Sequence, residues 1–160
     1  MPLGLVSDLL TAAMTALEQS SLGVAARGSG WLYPAANLSH VLGAALLVGA
    51  IATFDIQVLR RAADTGAIVR AVTPVAAFGL VLQVASGMVL LAADAMPVVV
   101  NPAFQFKMAM FALGLVNIAV FRWRFGRRGT GAGTDAVLLA AISLASWVLV
   151  LLAGRFIAYL

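Results

Sequence analysis

The side chains of this chain that could do chemistry are few. The sequence has one histidine, His40, and no cysteine, so metal or proton chemistry falls to that imidazole, to methionines, to carboxylates or to a cofactor. An imidazole can bind a metal, ligate haem iron or transfer a proton near neutral pH. A buried histidine with only a structural hydrogen bond is the other interpretation, and the sequence leaves both open.

Four further residues would lie near the depth of His40 if the apolar stretches around them are helices crossing a membrane. Gly43 follows one turn later, Gln83 and Gly87 share a face of the second stretch, and Lys107 begins the third. Small residues leave space for a flat ligand, although they suit close helix packing equally well. Lys107 either extends to the interface or points inward, where it would meet an anion such as a haem propionate or a substrate carboxylate. We interpret these five residues as a candidate cofactor site, with His40 as its metal ligand.

Asp55 and Asn117 are interpreted as structural. Asp55 follows His40 by 15 residues, which is about 22 Å along a helix, so the two cannot share a small site. We expect Asp55 to pair with Arg60 or Arg122, or to bond to Asn117, and so to fix helix register.

Copper is the alternative to haem for the site. Thioethers with one imidazole suit Cu(I), and four methionines fall toward the same side as His40: Met88, Met96, Met108 and Met110. Met108 and Met110 would point about 160° apart on one helix. The methionines therefore cannot all converge, and copper is the weaker interpretation.

The composition indicates which secondary-structure elements position these residues. Hydrophobic residues make up 63% of the 160 and charged residues 10%, and the mean hydropathy is +1.06, which excludes a soluble globular domain. Each of four stretches is long enough to cross the hydrocarbon core as a helix. They run over about residues 34–59, 72–93, 103–121 and 136–153. The sequence thus predicts an all-α protein with a four-helix transmembrane domain over 31–160, preceded by a tail over 1–30 that holds a short amphipathic helix on the outer surface.

The net charge of +4 is better explained by membrane topology than by nucleic acid, which we exclude as a partner. Seven arginines occupy the two loops that join spans one to two and three to four: Arg60, Arg61, Arg70, Arg122, Arg124, Arg127 and Arg128. Because positive loops stay in the cytoplasm, we expect a bacterial inner-membrane protein with both termini outside.

Three segments carry a family resemblance: WLYPAANLSHVLGAALLVGAIATFDIQVL, TPVAAFGLVLQVASGMVLLAADA and NPAFQFKMAMFALGLVN. Together they resemble an uncharacterised bacterial family of small four-span membrane proteins, over about residues 18 to 122. More distantly, the layout is similar to copper-resistance D membrane domains and b561-type cytochromes. The latter use pairs of histidines on different helices, so a chain with only His40 departs from them.

Three functions follow as hypotheses. The chain binds haem b or a related redox cofactor through His40, or it is a copper or small-solute transport module, or it is a non-catalytic accessory subunit of a membrane complex. Glycine and alanine faces on spans one and two also predict a homo-oligomer in the lipid bilayer. A redox or membrane-complex partner is expected under the first and third hypotheses.

Overall fold

The computed structural model describes residues 2–62, 65–126 and 133–159. Within those ranges the chain forms seven helices and no strand: α1 (Pro2–Gln19), α2 (Ser21–Gly28), α3 (Leu32–Leu59), α4 (Gly66–Ala93), α5 (Ala95–Val100), α6 (Pro102–Phe125) and α7 (Thr134–Phe156). Four of them, α3, α4, α6 and α7, are long and apolar enough to cross a membrane. The predicted all-α fold with four spanning helices and an N-terminal helix is confirmed.

The helices begin and end for local reasons, and α4 extends beyond the predicted span. Asn101 caps α6 as expected, because its side-chain oxygen accepts from the backbone N–H groups of Ala103 and Phe104 at 2.8 and 3.4 Å, with Pro102 in the first turn. The second span was expected to begin near residue 72, but α4 begins at Gly66 and contains Pro74 in its interior. Two helical turns therefore precede this proline.

The four long helices lie in a curved row, in the order α4, α3, α7, α6. Helix α3 packs against both α4 and α7, and α7 packs against α6. Among the described residues, no Cα atom of α6 lies within 8 Å of a Cα atom of α3 or α4. The backbones of α4 and α6 are therefore not in direct contact, and we call the side-chain-lined region between them the α4–α6 gap.

Glycines bring α3 and α4 into close contact. A Cβ atom added at Gly43 would lie 2.8 Å from the backbone nitrogen of Gln83, and one at Gly79 would lie 2.6 Å from the backbone nitrogen of Leu47. The space expected beside Gly43 is therefore filled by the backbone of α4. This corrects the expectation that a flat ligand lies against Gly43.

Helices α1 and α2 cover one end of the bundle, which we call the capped end. The Arg27 guanidinium donates to the last carbonyls of α4, at Ala92 and Ala93, over 3.3 and 3.1 Å. Glu18 accepts from the backbone N–H of Met96 in the first turn of α5 at 2.8 Å. The tail thus satisfies polar groups at two helix ends, and it does so as two helices joined at Ser20 rather than as one.

The opposite end of the bundle, which we call the arginine end, carries the described arginines of the two connecting loops. Five of the seven loop arginines lie there in the described ranges: Arg60, Arg61, Arg70, Arg122 and Arg124. Arg127 and Arg128 lie outside the described residues. At this end Arg124 forms an ion pair with Asp135 of α7, and both side chains are exposed.

Candidate functional site

His40 is at the centre of a polar cluster contributed by three helices. Its ring, on α3 and partly buried, has Nδ1 at 3.0 Å from Ser86 Oγ of α4. Its Nε2 atom lies 2.8 Å from Gln83 Nε2 of α4 and 3.3 Å from Lys107 Nζ of α6. The structure therefore brings together three of the predicted site residues, and it shows Lys107 pointing inward rather than toward the membrane surface.

The contacts determine which ring nitrogen carries the proton. The Ser86 hydroxyl donates to the Leu82 carbonyl at 2.5 Å, so its oxygen is left to accept a hydrogen bond from Nδ1–H of His40. The Gln83 amide nitrogen and the Lys107 ammonium can only donate, so Nε2 must accept. With the Gln83 amide in this orientation, the contacts favour a neutral imidazole with its proton on Nδ1.

Gly87 and Gly154 provide the space that these side chains occupy. A Cβ atom at Gly87 would lie 3.1 Å from His40 Cε1, and one at Gly154 of α7 would lie 3.6 Å from Lys107 Nζ. Gly87 thus admits the imidazole itself. The space predicted beside His40 is filled by the histidine ring and by α4.

Two groups of the cluster lack a complementary partner. Gln83 is buried, and its Oε1 atom has no hydrogen-bond partner. The ion pair of Arg124 and Asp135 is the only salt bridge in the part of the chain that the structure describes, so Lys107 has no carboxylate beside it there. The cluster therefore presents an ammonium without a counter-anion next to a carbonyl oxygen without a donor.

Asp55 lies toward the arginine end, where the expected partners are wrong. Its side chain is 3% exposed, and it is hydrogen-bonded to Ser143 of α7. The Asn117 amide instead donates to the Leu139 carbonyl of α7 at 3.0 Å, and no described arginine forms an ion pair with Asp55. The reason is local: Arg60 and Arg122 are exposed, and the Asn117 amide is already bonded to α7.

Few of the described side chains could act as ligands of a metal ion at this site. No group of three or more His, Cys, Asp or Glu side chains occurs among the described residues. Met88 and Met108 are exposed, whereas Met110 packs against the core around Trp147. His40 is the nitrogen ligand that a haem or copper ion would need, and both of its ring nitrogens already contact side chains.

The sequence indicates that Ser86 and Ser143 form hydrogen bonds between helices, but it does not name their partners. Ser86 contacts His40, and Ser143 bonds to Asp55. Ser86 also follows Gln83 by three residues and therefore shares its helix face. The position of Gly154 beside Lys107 was not predicted, because it depends on which helix packs beside which.

No protein-family model matches the chain, and comparisons with curated proteins and with solved structures find no match. The resemblance to a family of small four-span membrane proteins stays a prediction.

Proposed function

We propose that this multi-pass membrane protein binds an anionic ligand at the cluster of His40, Gln83 and Lys107. The observation that carries the proposal is the direction of Lys107, whose ammonium points at His40 with no carboxylate beside it among the described residues. Ionisable groups within spanning helices are costly, and they commonly mark a binding site or a transport path. An anion would supply the charge that the cluster lacks.

The hydrogen bonds suggest what else the ligand carries. An oxygen of the anion could accept from Lys107 and from the Gln83 amide, which now share the Nε2 atom of His40. A hydroxyl or N–H group beside that oxygen could donate to the unpartnered Oε1 atom of Gln83. A carboxylate or phosphate next to a hydroxyl has both features.

The α4–α6 gap gives such a ligand a route from the bilayer. Lys107 comes from α6, while Gln83 comes from α4, and the two backbones do not approach each other. The proposed route runs between these two backbones, so entry would displace side chains but not separate two helix backbones in contact.

Native mass spectrometry of the detergent-purified protein tests the proposal. We expect the wild type to carry a bound anion and Lys107→Met to carry at least about tenfold less, because the variant keeps the length of the side chain without its charge. Arg155→Met is the matched control, since it removes an exposed positive charge at the capped end but outside the cluster. Equal occupancy in all three proteins, or no bound anion in the wild type, would contradict the proposal.

We further propose that the protein lies in a bacterial inner membrane with the capped end, and both termini, outside. This rests on the position of the arginines, five of which the structure describes at the opposite end.

Haem ligation by His40 stays a prediction, and the geometry defines what it requires. An iron atom would need the Nε2 lone pair, which now accepts from Gln83 and Lys107. The predicted propionate contact is supported only by the inward direction of Lys107. A Soret band in the purified protein that is lost in His40→Ala would support haem, and stoichiometric copper would support the transport hypothesis. If no haem, copper or anion is found, the accessory-subunit interpretation remains.

A further inference from the structure

A cavity lies toward the arginine end, separate from the cluster around His40. Its volume is about 260 Å³, and none of His40, Gln83 or Lys107 lines it. Residues of α3, α4, α6 and α7 form its mostly apolar wall, including Ile51, Phe54, Ala76, Leu80, Ile118 and Phe121. The polar residues that line it are Asp55, Thr73, Asn117, Arg122 and Ser143.

One buried oxygen in this wall has no partner. Asp55 is 3% exposed, and its Oδ2 atom has no hydrogen bond. Two polar neighbours in the wall use their donors elsewhere in the chain: the Thr73 hydroxyl donates to the Val69 carbonyl at 2.6 Å, and the Asn117 amide donates to Leu139. Arg122 also lines the cavity, but it is exposed, and no ion pair joins it to Asp55. A carboxyl oxygen without a donor in an apolar wall is costly, so a bound donor would stabilise it.

We propose that this cavity binds a compact, largely apolar molecule whose single hydroxyl or N–H group donates to Asp55 Oδ2. A cavity of about 150 Å³ holds one benzene ring, so the larger volume here suits a body of two fused rings. The aromatic side chains of Phe54 and Phe121 in the wall favour a planar body. Both α4 and α6 contribute to the wall, and the proposal takes the α4–α6 gap, where the two backbones stay apart, as the route from the bilayer.

The test compares two probes that differ in one hydrogen-bond donor. The first is 2-naphthol, and 2-methoxynaphthalene is its matched ether, with the same rings and no donor. Each is added to the purified protein in one detergent, and the midpoint of thermal unfolding is followed by circular dichroism. At about tenfold saturation we expect 2-naphthol to raise the midpoint by about 4 °C and the ether to raise it by less than about 1 °C.

Four variants show where the probe binds. Asp55→Leu removes the acceptor, and Ala76→Leu fills the cavity from α4, so both should lose the response to 2-naphthol. Ala85→Leu is the matched control, because Ala85 is exposed on α4 and does not line the cavity; it should respond like the wild type. Lys107→Met should also respond like the wild type, which separates this proposal from the one at His40.

Four results would overturn the proposal: no shift in the wild type, equal shifts with the two probes, an unchanged response in Asp55→Leu, or an unchanged response in Ala76→Leu. Should one of these two variants fail to fold, the other variant and the ether comparison still decide.

Discussion

Both ring nitrogens of His40 contact neighbouring side chains, so an NMR spectrum can show which nitrogen carries the proton. Nδ1 faces the Ser86 oxygen and Nε2 faces two donors. Since the chain has a single histidine, labelling with ¹⁵N-histidine gives one pair of ring signals. We expect solid- or solution-state NMR near neutral pH to show the proton on Nδ1.

A matched variant tests the cause of that tautomer. Ser86→Ala removes the oxygen that accepts from Nδ1–H, so the preference should weaken and the signals should move toward a mixture. A wild-type spectrum with the proton on Nε2 would show that Gln83 presents its oxygen instead, and the hydrogen-bond assignment of the cluster would be wrong.

Lys107 shows why single residues are hard to interpret from sequence. A lysine one turn inside a helix commonly extends to the interface, yet this one lies against Gly154 and reaches His40. Its direction depends on which helices pack beside α6, and the sequence does not say that α7 is the neighbour of α6.

At the scale of helices, the contact between α3 and α4 should depend on its glycines. Gly79→Ala would place a Cβ atom 2.6 Å from the backbone nitrogen of Leu47, so the helices must separate. We expect a loss of about 1 to 3 kcal/mol in the free energy of unfolding, measured by denaturant or thermal unfolding in detergent. Separation should also weaken the contacts of Gln83 and Ser86 with His40, which the ¹⁵N signals would report.

Gly49→Ala is the control for that experiment. Gly49 lies within the partner helix α3, and a Cβ atom there would meet nothing within 4 Å. Alanine is the better helix former by about 1 kcal/mol, so this variant should be neutral or more stable. Equal effects of the two substitutions would show that helix propensity, and not packing, governs both positions.

The helices themselves were largely predictable, whereas their order was not. Four apolar stretches and the Asn101–Pro102 start identified the spans, because length and capping are local properties. Helix α4 starts before the predicted span, because it includes the segment around Arg70 that the sequence assigned to a loop. The partner of Asp55 was missed because four apolar helices can be ordered in several ways, and only the observed row places Ser143 beside it.

At the scale of the molecule, the packing of α3 against α4 weakens the sequence-based argument for a homo-oligomer. The homo-oligomer was predicted from small residues on the first two spans, but Gly43 and Gly79 are used between α3 and α4 within one chain. A homo-oligomer stays a prediction, with less support from those faces. The α4–α6 gap is the feature that lipid, a ligand or another chain would have to fill.

The whole-molecule prediction concerns orientation. Gly30 lies between α2 and α3 at the capped end, and Gly133 precedes α7 at the arginine end; both are exposed, and a Cβ atom at either would meet nothing within 4 Å. The chain has no native cysteine, so Gly30→Cys and Gly133→Cys each provide one reactive thiol with little cost in stability. In right-side-out vesicles an impermeant maleimide should label only Gly30→Cys, and in inverted vesicles only Gly133→Cys. The positive-inside rule requires this result, because the arginines at one end resist translocation. The reverse pattern would place the cluster of His40, Gln83 and Lys107 in the cytoplasmic half, and its anion would then have to come from inside the cell. Labelling of both thiols from one side would contradict the four-span topology.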